Sequence, residues 1–415
     1  MSANGTRQEP PRTLIVGGGI AGLEALLALH DLAEERANLT LVSPESDFTY
    51  KPLLVEEPFS FTPAERRELA PVLSELGGDF VQNGVARVLA DDHALELDDG
   101  SRLEYEILVV CAGGRPRDPF RQAVTFRVGG PELEVDALLL RAAAGAAKTL
   151  AFIVPPGVTW PLPIYELALM TRRRAEETGH SHVQLKVITP ETAPLIMFGR
   201  PASQAVAELL SVRGIEVDAK SYVTESADGE LSLAPRDRKL DAGAIVALPL
   251  IEGPRLAGLP ADDHGFIPID EHAQVIGVDD VYAAGDGTTF PIKQGGLATQ
   301  QADAAAEHIA ARLGTVAEAK PFHPVLRGQL ITGAESLYLR HDLTGGHGEG
   351  TTSADYLWWP PHKVSGKYLA AWLAHEMPRA EAEPPGTLVD IELPLTHEWH
   401  ERPMTLDPYG PLGVE

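Results

Sequence analysis

Compact apolar runs alternate along the chain with longer stretches in which apolar residues recur at helical spacing. Thr13-Leu14-Ile15-Val16 is such a run, and an Ala/Leu-rich stretch from about Ile20 to Leu32 follows it. The first predicts a buried strand and the second a helix. Leu39-Thr40-Leu41-Val42 predicts the next strand and completes a βαβ unit. Val85 to Val88 and Ala94 to Leu97 predict short strands, with Asp98-Asp99-Gly100 as a turn before Leu103. Ile107-Leu108-Val109-Val110 predicts a fully buried strand that ends in Cys111-Ala112-Gly113-Gly114, small residues that let a backbone or a ligand come close.

The rhythm then starts again. Leu150 to Val154 and Val183 to Ile188 predict strands, and Ile164 to Arg174 and Ala202 to Arg213 predict helices. Val281-Tyr282-Ala283-Ala284 returns as a short strand ending at Gly285-Asp286, and a helix is predicted from Gly295-Gly296 through Ile309. Further on, Val325 to Leu330 predicts a strand and Lys363 to Met377 a helix. In that helix Val364, Tyr368 and Trp372 form a stripe, predicted to lie on the core or on a partner chain.

Two places carry chemistry. Gly17-x-Gly19-x-x-Gly22 stands between the first strand and the first helix. Gly17 lets the chain turn, Gly19 lets a pyrophosphate approach the backbone, and Gly22 lets the helix close on the strand. The helix N-terminus adds free N–H groups and a partial positive charge. The fingerprint expects an acidic residue at the end of the second strand, where this chain has Ser43, with Glu45 two residues on. The matching turn of the second unit reads Pro155-Pro156-Gly157-Val158-Thr159-Trp160-Pro161-Leu162-Pro163, whose prolines remove donors that phosphates need. The expected fold is α/β, with two Rossmann-like dinucleotide-binding domains and a small C-terminal segment. Residues 1–120 with 240–318 form the first, 121–239 are inserted into it, and 319–415 form the C-terminal interface segment.

A net charge of −26 argues against nucleic acid and anionic membrane as partners, since phosphates would be repelled. Cys111 is the single cysteine, which excludes an intrachain disulfide and a cysteine-based metal cluster. The histidines show no ligand spacing, so no metal site is expected. The polar N-terminus lacks a signal-peptide core, and no apolar run is long enough to span a bilayer. A cytoplasmic location is therefore expected.

These motifs, with Val281-Tyr282-Ala283-Ala284-Gly285-Asp286 and Phe290-Pro291-Ile292-Lys293-Gln294-Gly295-Gly296, resemble the FAD-dependent flavoproteins with two dinucleotide-binding domains. That group includes pyridine nucleotide-disulfide oxidoreductases, type II NADH dehydrogenases and sulfide:quinone oxidoreductases. The resemblance implies that Gly17, Gly19 and Gly22, with Ile20 and Ala21, hold the FAD pyrophosphate. Ser43 or Glu45 would meet the adenosine ribose and the Val85 backbone the adenine. Ala112 and Gly113 would flank the ADP half, and Lys51 and Pro52 the isoalloxazine. Gly285-Asp286 would bind the ribityl chain, and Lys293, Gln294 and Gly295 would face the flavin N1 edge. Glu166 resembles the glutamate that type II NADH dehydrogenases carry on the same helix, so Glu166 and Lys293 are the catalytic candidates.

The departures bear on substrate. A disulfide reductase needs a cysteine pair beside the flavin, and sulfide oxidation likewise uses several cysteines. The first expectation is an FAD-dependent oxidoreductase carrying two electrons from a small donor, NAD(P)H among the possibilities, to a quinone-like acceptor. Alternatives are a sulfide:quinone-oxidoreductase-like flavoprotein using another donor, and a non-catalytic FAD-binding sensor or scaffold. A homodimer is compatible with each. Trp358-Trp359-Pro360-Pro361 is expected to pack over the flavin or to wall an acceptor.

Overall fold

A computed structural model describes residues 9–59, 64–127, 132–235, 238–343 and 350–375. The first apolar run is strand Arg12–Val16, and α1 (Ile20–Leu32) follows directly. A parallel sheet forms in the order Val281–Ala283, Ile107–Val110, Arg12–Val16, Asn38–Ser43, Asp79–Gln82. Val16 stands level with Val42 and Val110, so these strands end together at one edge. Along Arg12–Val16 the side chains alternate between the sheet's two faces. Leu14 and Val16 join Val88, Leu95 and Leu97 of an antiparallel three-stranded layer. Ile15 faces the helical side with Leu23 and Leu26. Burial on both faces is why this strand reads as unbroken apolar sequence.

After the short helix α2 (Leu69–Glu75), the second unit repeats the layering. Its parallel sheet runs Val124–Thr125, Ala244–Ala247, Thr149–Ile153, Gln184–Ile188, Ile215–Asp218. Ala151 and Ile153 meet the antiparallel strands Tyr222–Glu225 and Leu231–Ala234, whereas Leu150 and Phe152 face helices. Those helices are α3 (Val135–Ala144), α4 (Leu162–Glu177) and α5 (Arg200–Val212). The long helix α6 (Gly295–Arg312) closes the first unit. It packs on α1 through alanines, among them Ala25, Ala28, Ala302 and Ala305, whose small size lets the axes approach.

The C-terminal part forms an antiparallel sheet of Val325–Leu330, Leu337–Asp342 and Thr351–Ser353. It lies on α4 and α5. A Cβ at Gly328 would come within 2.6 Å of the Phe198 ring and 2.8 Å of Leu162, so glycine there permits the contact. The expected helix over Lys363 to Met377 is corrected to a short α7 (Leu369–Leu373). Pro360, Pro361 and Gly366 disfavour helix before it, and the amides of Val364, Tyr368 and Leu369 are bound by side chains of other elements. The residues after 375 lie outside the described ones. The apolar stripe does lie on the core: Val364, Tyr368, Leu369 and Leu373 pack with α1 and α6, each burial stabilising by roughly 1.5–3 kcal/mol.

Candidate active site

The glycine turn behind Val16 is shaped by close approach. Gly17 has φ +106°, and a Cβ on it would stand 2.3 Å from the Cys111 carbonyl oxygen. A Cβ on Gly22 would stand 1.8 Å from the Gly17 carbonyl oxygen, so any side chain there drives α1 off the turn. At Gly19 nothing lies within 4 Å, so that face is open. The N–H groups of Gly19, Ile20 and Ala21 meet no backbone acceptor among the described residues, as expected at a helix start. An anion placed against Gly19 would meet these donors and the positive end of the helix dipole. Ser43 is buried beside the turn, and its hydroxyl donates to Glu45 at 3.1 Å, so the two side chains present one polar group. Val85 lies in a strand opposite Leu97, and Ala112 and Gly113 follow the end of the Ile107–Val110 strand. The Gly113 position is open around its missing side chain.

The second cluster is built where the chain passes between α1 and α6. Gly285 has φ +90°, and a Cβ there would lie 3.2 Å from that of Ala21 and 3.4 Å from that of Ala298. Its N–H donates to Gln301 Oε1 at 2.7 Å, which fixes the bend. Asp286 follows, half-buried, and its carboxyl accepts no side-chain or amide hydrogen bond among the described residues. Loss of hydration pushes the carboxyl up, and Lys293 and Lys51 pull it down. A carboxyl without a donor, beside two cations, suits a ligand that brings hydroxyls.

Lys293 is oriented by its own loop. Its Nζ donates to the carbonyls of Thr288 (2.5 Å) and Phe290 (2.7 Å) and lies 3.7 Å from the Phe266 ring centre. Loss of hydration pushes the ammonium down to about 8. Two of its three N–H donors are held by carbonyls of its own loop. Gln294 caps α6: Leu297 N–H donates to its Oε1 at 2.8 Å, and its Nε2 donates to the Arg327 carbonyl at 3.2 Å. Gly295 opens α6 against Val364 and Ile20, so the N-terminal turns of α1 and α6 meet at one point. Together the open Gly19 face, the free amides and the Asp286 carboxyl fit a dinucleotide carrying a flavin.

Glu166 stands apart from the glycine turn. It is wholly buried on α4, and Lys363 Nζ donates to its two oxygens at 2.8 and 2.7 Å. The Ile331 N–H adds a third bond at 2.8 Å. Burial pushes the Glu166 carboxyl up and Lys363 opposes this. Glu56, also raised by burial, lies within the field of Lys363. This pair adjoins Tyr50, which precedes Lys51 and Pro52 of the turn Lys51–Val55: the Tyr50 hydroxyl accepts the Val364 N–H at 2.7 Å, and its ring meets that of His362 edge-on. Sequence reading missed Tyr50, Glu56 and Thr159 as parts of this region. Only the position of Tyr50 beside Lys51-Pro52 hinted at it. Trp358 is buried while Trp359 and Tyr356 are exposed, so the aromatic cluster both packs and faces outward.

The second unit's turn is filled. The Val158 N–H turns back to the Pro155 carbonyl and the Ile164 N–H to Pro161. Prolines flank the start of α4, and the C-terminal sheet covers Leu162. Trp160 packs edge-on against Phe198. Thr159 instead reaches the first site, accepting the Lys293 N–H at 3.3 Å. Cys111 is buried, which pushes its thiol up to about 12. No helix among the described residues is long and apolar enough to cross a membrane.

The sequence pattern of the pyridine nucleotide-disulphide oxidoreductase family matches residues 11–151 and 165–308. The stretch between these segments contains the proline turn. Demethylphylloquinone reductase NdbB of Synechocystis sp. is 28% identical over 308 residues, covering 67% of this chain and 72% of that protein. Oxidoreductase ptaL of Pestalotiopsis fici is 26% identical over 298 residues, covering 66% and 76%. Among solved structures, the sulfide:quinone oxidoreductase of Aquifex aeolicus aligns with a TM-score of 0.71 at 18% identity, covering 82% of this chain and 86% of that one. At that identity the likeness shows the fold alone.

Proposed function

Since the chain belongs to the pyridine nucleotide-disulphide oxidoreductase family, we propose that it is an FAD-dependent oxidoreductase that passes two electrons to a quinone-like acceptor with no protein thiol in the path. The observation that carries the second half is Cys111. The single thiol is enclosed, held protonated, and placed behind the glycine turn rather than in a cleft. FAD, when bound, would supply the two-electron chemistry. The protein would supply its seat: Gly17, Gly19 and Gly22 with the α1 amides for the pyrophosphate, Ser43 and Glu45 for the ribose, and Asp286 for the ribityl hydroxyls. Lys51, Lys293 and the α6 N-terminus would set a positive field at the flavin. Glu166, bonded to Lys363 and buried on α4, would hold a proton at the acceptor. The relative named as a quinone reductase supports that class of acceptor.

The proline turn bears on the donor. It offers few free amides, and its helix start is covered, which favours a small donor reaching the flavin over a dinucleotide seated on the second unit. Anaerobic addition of NADH, NADPH, sulfide and organic thiols, read by flavin absorbance, tests this, followed by reoxidation with menadione. Slow bleaching by both nicotinamides and rapid reoxidation by menadione are expected. Fast bleaching by a nicotinamide overturns the donor reading. Reduced flavin that no quinone reoxidises overturns the acceptor reading.

A further inference from the structure

The two units carry one short repeat. Leu41-Val42-Ser43-Pro44-Glu45 leaves the second strand of the first unit, and Val187-Ile188-Thr189-Pro190-Glu191 leaves the second strand of the second. The register is the same in both. Val42 stands level with Val16 at the end of the first strand, and Ile188 with Ile153. The Gly17 N–H donates to the Val42 carbonyl at 2.8 Å, and the Val154 N–H to the Ile188 carbonyl at 2.9 Å. The Ser43 carbonyl accepts the Asn83 N–H and the Thr189 carbonyl the Ser221 N–H, each at 3.0 Å. Within each repeat the hydroxyl donates to the acid, Ser43 to Glu45 at 3.1 Å and Thr189 to Glu191 Oε2 at 2.9 Å. Glu191 therefore holds the place at which a dinucleotide-binding unit offers an acid to a ribose.

The two acids meet different surroundings. Glu45 is exposed, so a ligand can reach it. Glu191 is wholly enclosed. The hydroxyl of Tyr165, itself enclosed on α4, donates to Glu191 Oε2 at 2.5 Å. A hydroxyl of the protein thus stands on the acid that a ribose hydroxyl would need. Glu191 Oε1 meets no donor among the described residues. A ribose brings two neighbouring hydroxyls and a phenol only one, which leaves one oxygen over. The turn agrees. Val154, enclosed in the core, stands where the first unit has Gly17, so the second unit lacks the glycine that makes the phosphate turn.

We propose that Tyr165 occupies the ribose seat of the second unit as an internal ligand, and that the Tyr165–Glu191 bond closes this unit to nucleotides. The proline turn and Val154 withdraw the phosphate donors, and Tyr165 takes the acid. The inference rests on the donor reading given above and assigns the exclusion of a dinucleotide to one pair of side chains.

ADP-ribose, which carries the adenosine ribose without redox chemistry, probes the seat in the flavin-loaded full chain. Calorimetry shows no saturable binding up to about 1 mM, and the amides of Glu191 and Lys220 gain no protection from exchange. Saturable binding that protects these amides overturns the proposal. Tyr165→Phe lowers the thermal midpoint, and it does so less in a Glu191→Gln background, because an amide left without its donor is easier to bury than a carboxylate. Equal shifts in the two backgrounds overturn the proposal. Both single variants keep the wild-type dependence of flavin reduction on NADH concentration within about twofold, and a tenfold change in Glu191→Gln overturns the proposal. Should a variant not fold, the ADP-ribose titration of the wild type decides. Fast bleaching by NADH whose concentration dependence is the same in Glu191→Gln overturns the donor reading alone and leaves the closed seat standing.

Discussion

Lys363→Met tests an ion pair that burial largely encloses beside the candidate site. Glu166 is wholly enclosed and Lys363 is 9% exposed. Removing one partner of such a pair costs about 3–5 kcal/mol, because the other charge stays buried without compensation. The Ile331 N–H remains on Glu166 and softens the loss, whereas Glu56 no longer faces a cation and sharpens it. The variant can also escape by taking up a proton. The Glu166 carboxyl is already raised by burial, and without Lys363 it rises further. A raised folded-state value means that stability is retained at low pH and lost as pH rises through that value. The deficit of Lys363→Met is therefore largest near about pH 8 and shrinks toward about pH 5, by up to about 1.4 kcal/mol per pH unit over which Glu166 titrates. Urea midpoints at both pH values measure it, with tryptophan emission as the probe since Trp160 and Trp358 lie in this region. Adding Glu166→Gln removes the stranded charge and keeps an acceptor for Ile331, so the double variant regains most of the loss at about pH 8. An equal deficit at both pH values refutes the reasoning, as does a double variant no more stable than Lys363→Met.

Gly22→Ala and Gly19→Ala separate folding from binding. The first places a methyl 1.8 Å from a carbonyl oxygen, so thermal stability and bound flavin per chain fall together. The second meets open space, so the chain folds as the wild type does while bound flavin, read by absorbance, falls at least about tenfold. Cys111→Ala leaves flavin reduction and reoxidation rates within about twofold, and native Cys111 resists alkylation by iodoacetamide at about pH 8 but reacts fully in urea. Tyr50→Phe strands the Val364 N–H, and calorimetry records a loss of about 1–3 kcal/mol.

Much of the architecture was legible because it rests on local rules. Both parallel sheets have strands buried on two faces, which write continuous apolar runs into the sequence, and Gly17 and Gly22 around the start of α1 mark close backbone approach. In the C-terminal part the strand Val325–Leu330 was legible in the same way, but the long helix expected after it was not, for the opposite reason. Val364, Tyr368 and Trp372 form an apolar stripe at helical spacing, but the Val364 and Tyr368 amides are bound by Tyr50 and Glu24, far away in sequence. Periodicity reports which side chains are buried and says nothing of where an amide finds its acceptor. Glu166 shows the same limit. Its place on α4 was readable, while its partner Lys363 lies 197 residues away and follows two prolines.

The two units share one layering, yet their first turns are spent differently. At α1 the turn is open over Gly19, and its amides face outward. At α4 the corresponding place is closed by prolines and covered by Gly328, and its side chains are engaged by the first unit and the C-terminal part. Thr159 accepts the Lys293 amide, and Glu166 binds Lys363 and Ile331. A helix start that must accept a pyrophosphate has to leave its amides bare, whereas one that serves as a wall has to fill the same space. The second unit meets the latter requirement, and its polar side chains are aimed at the loop behind Asp286 and at the segment leading into α7.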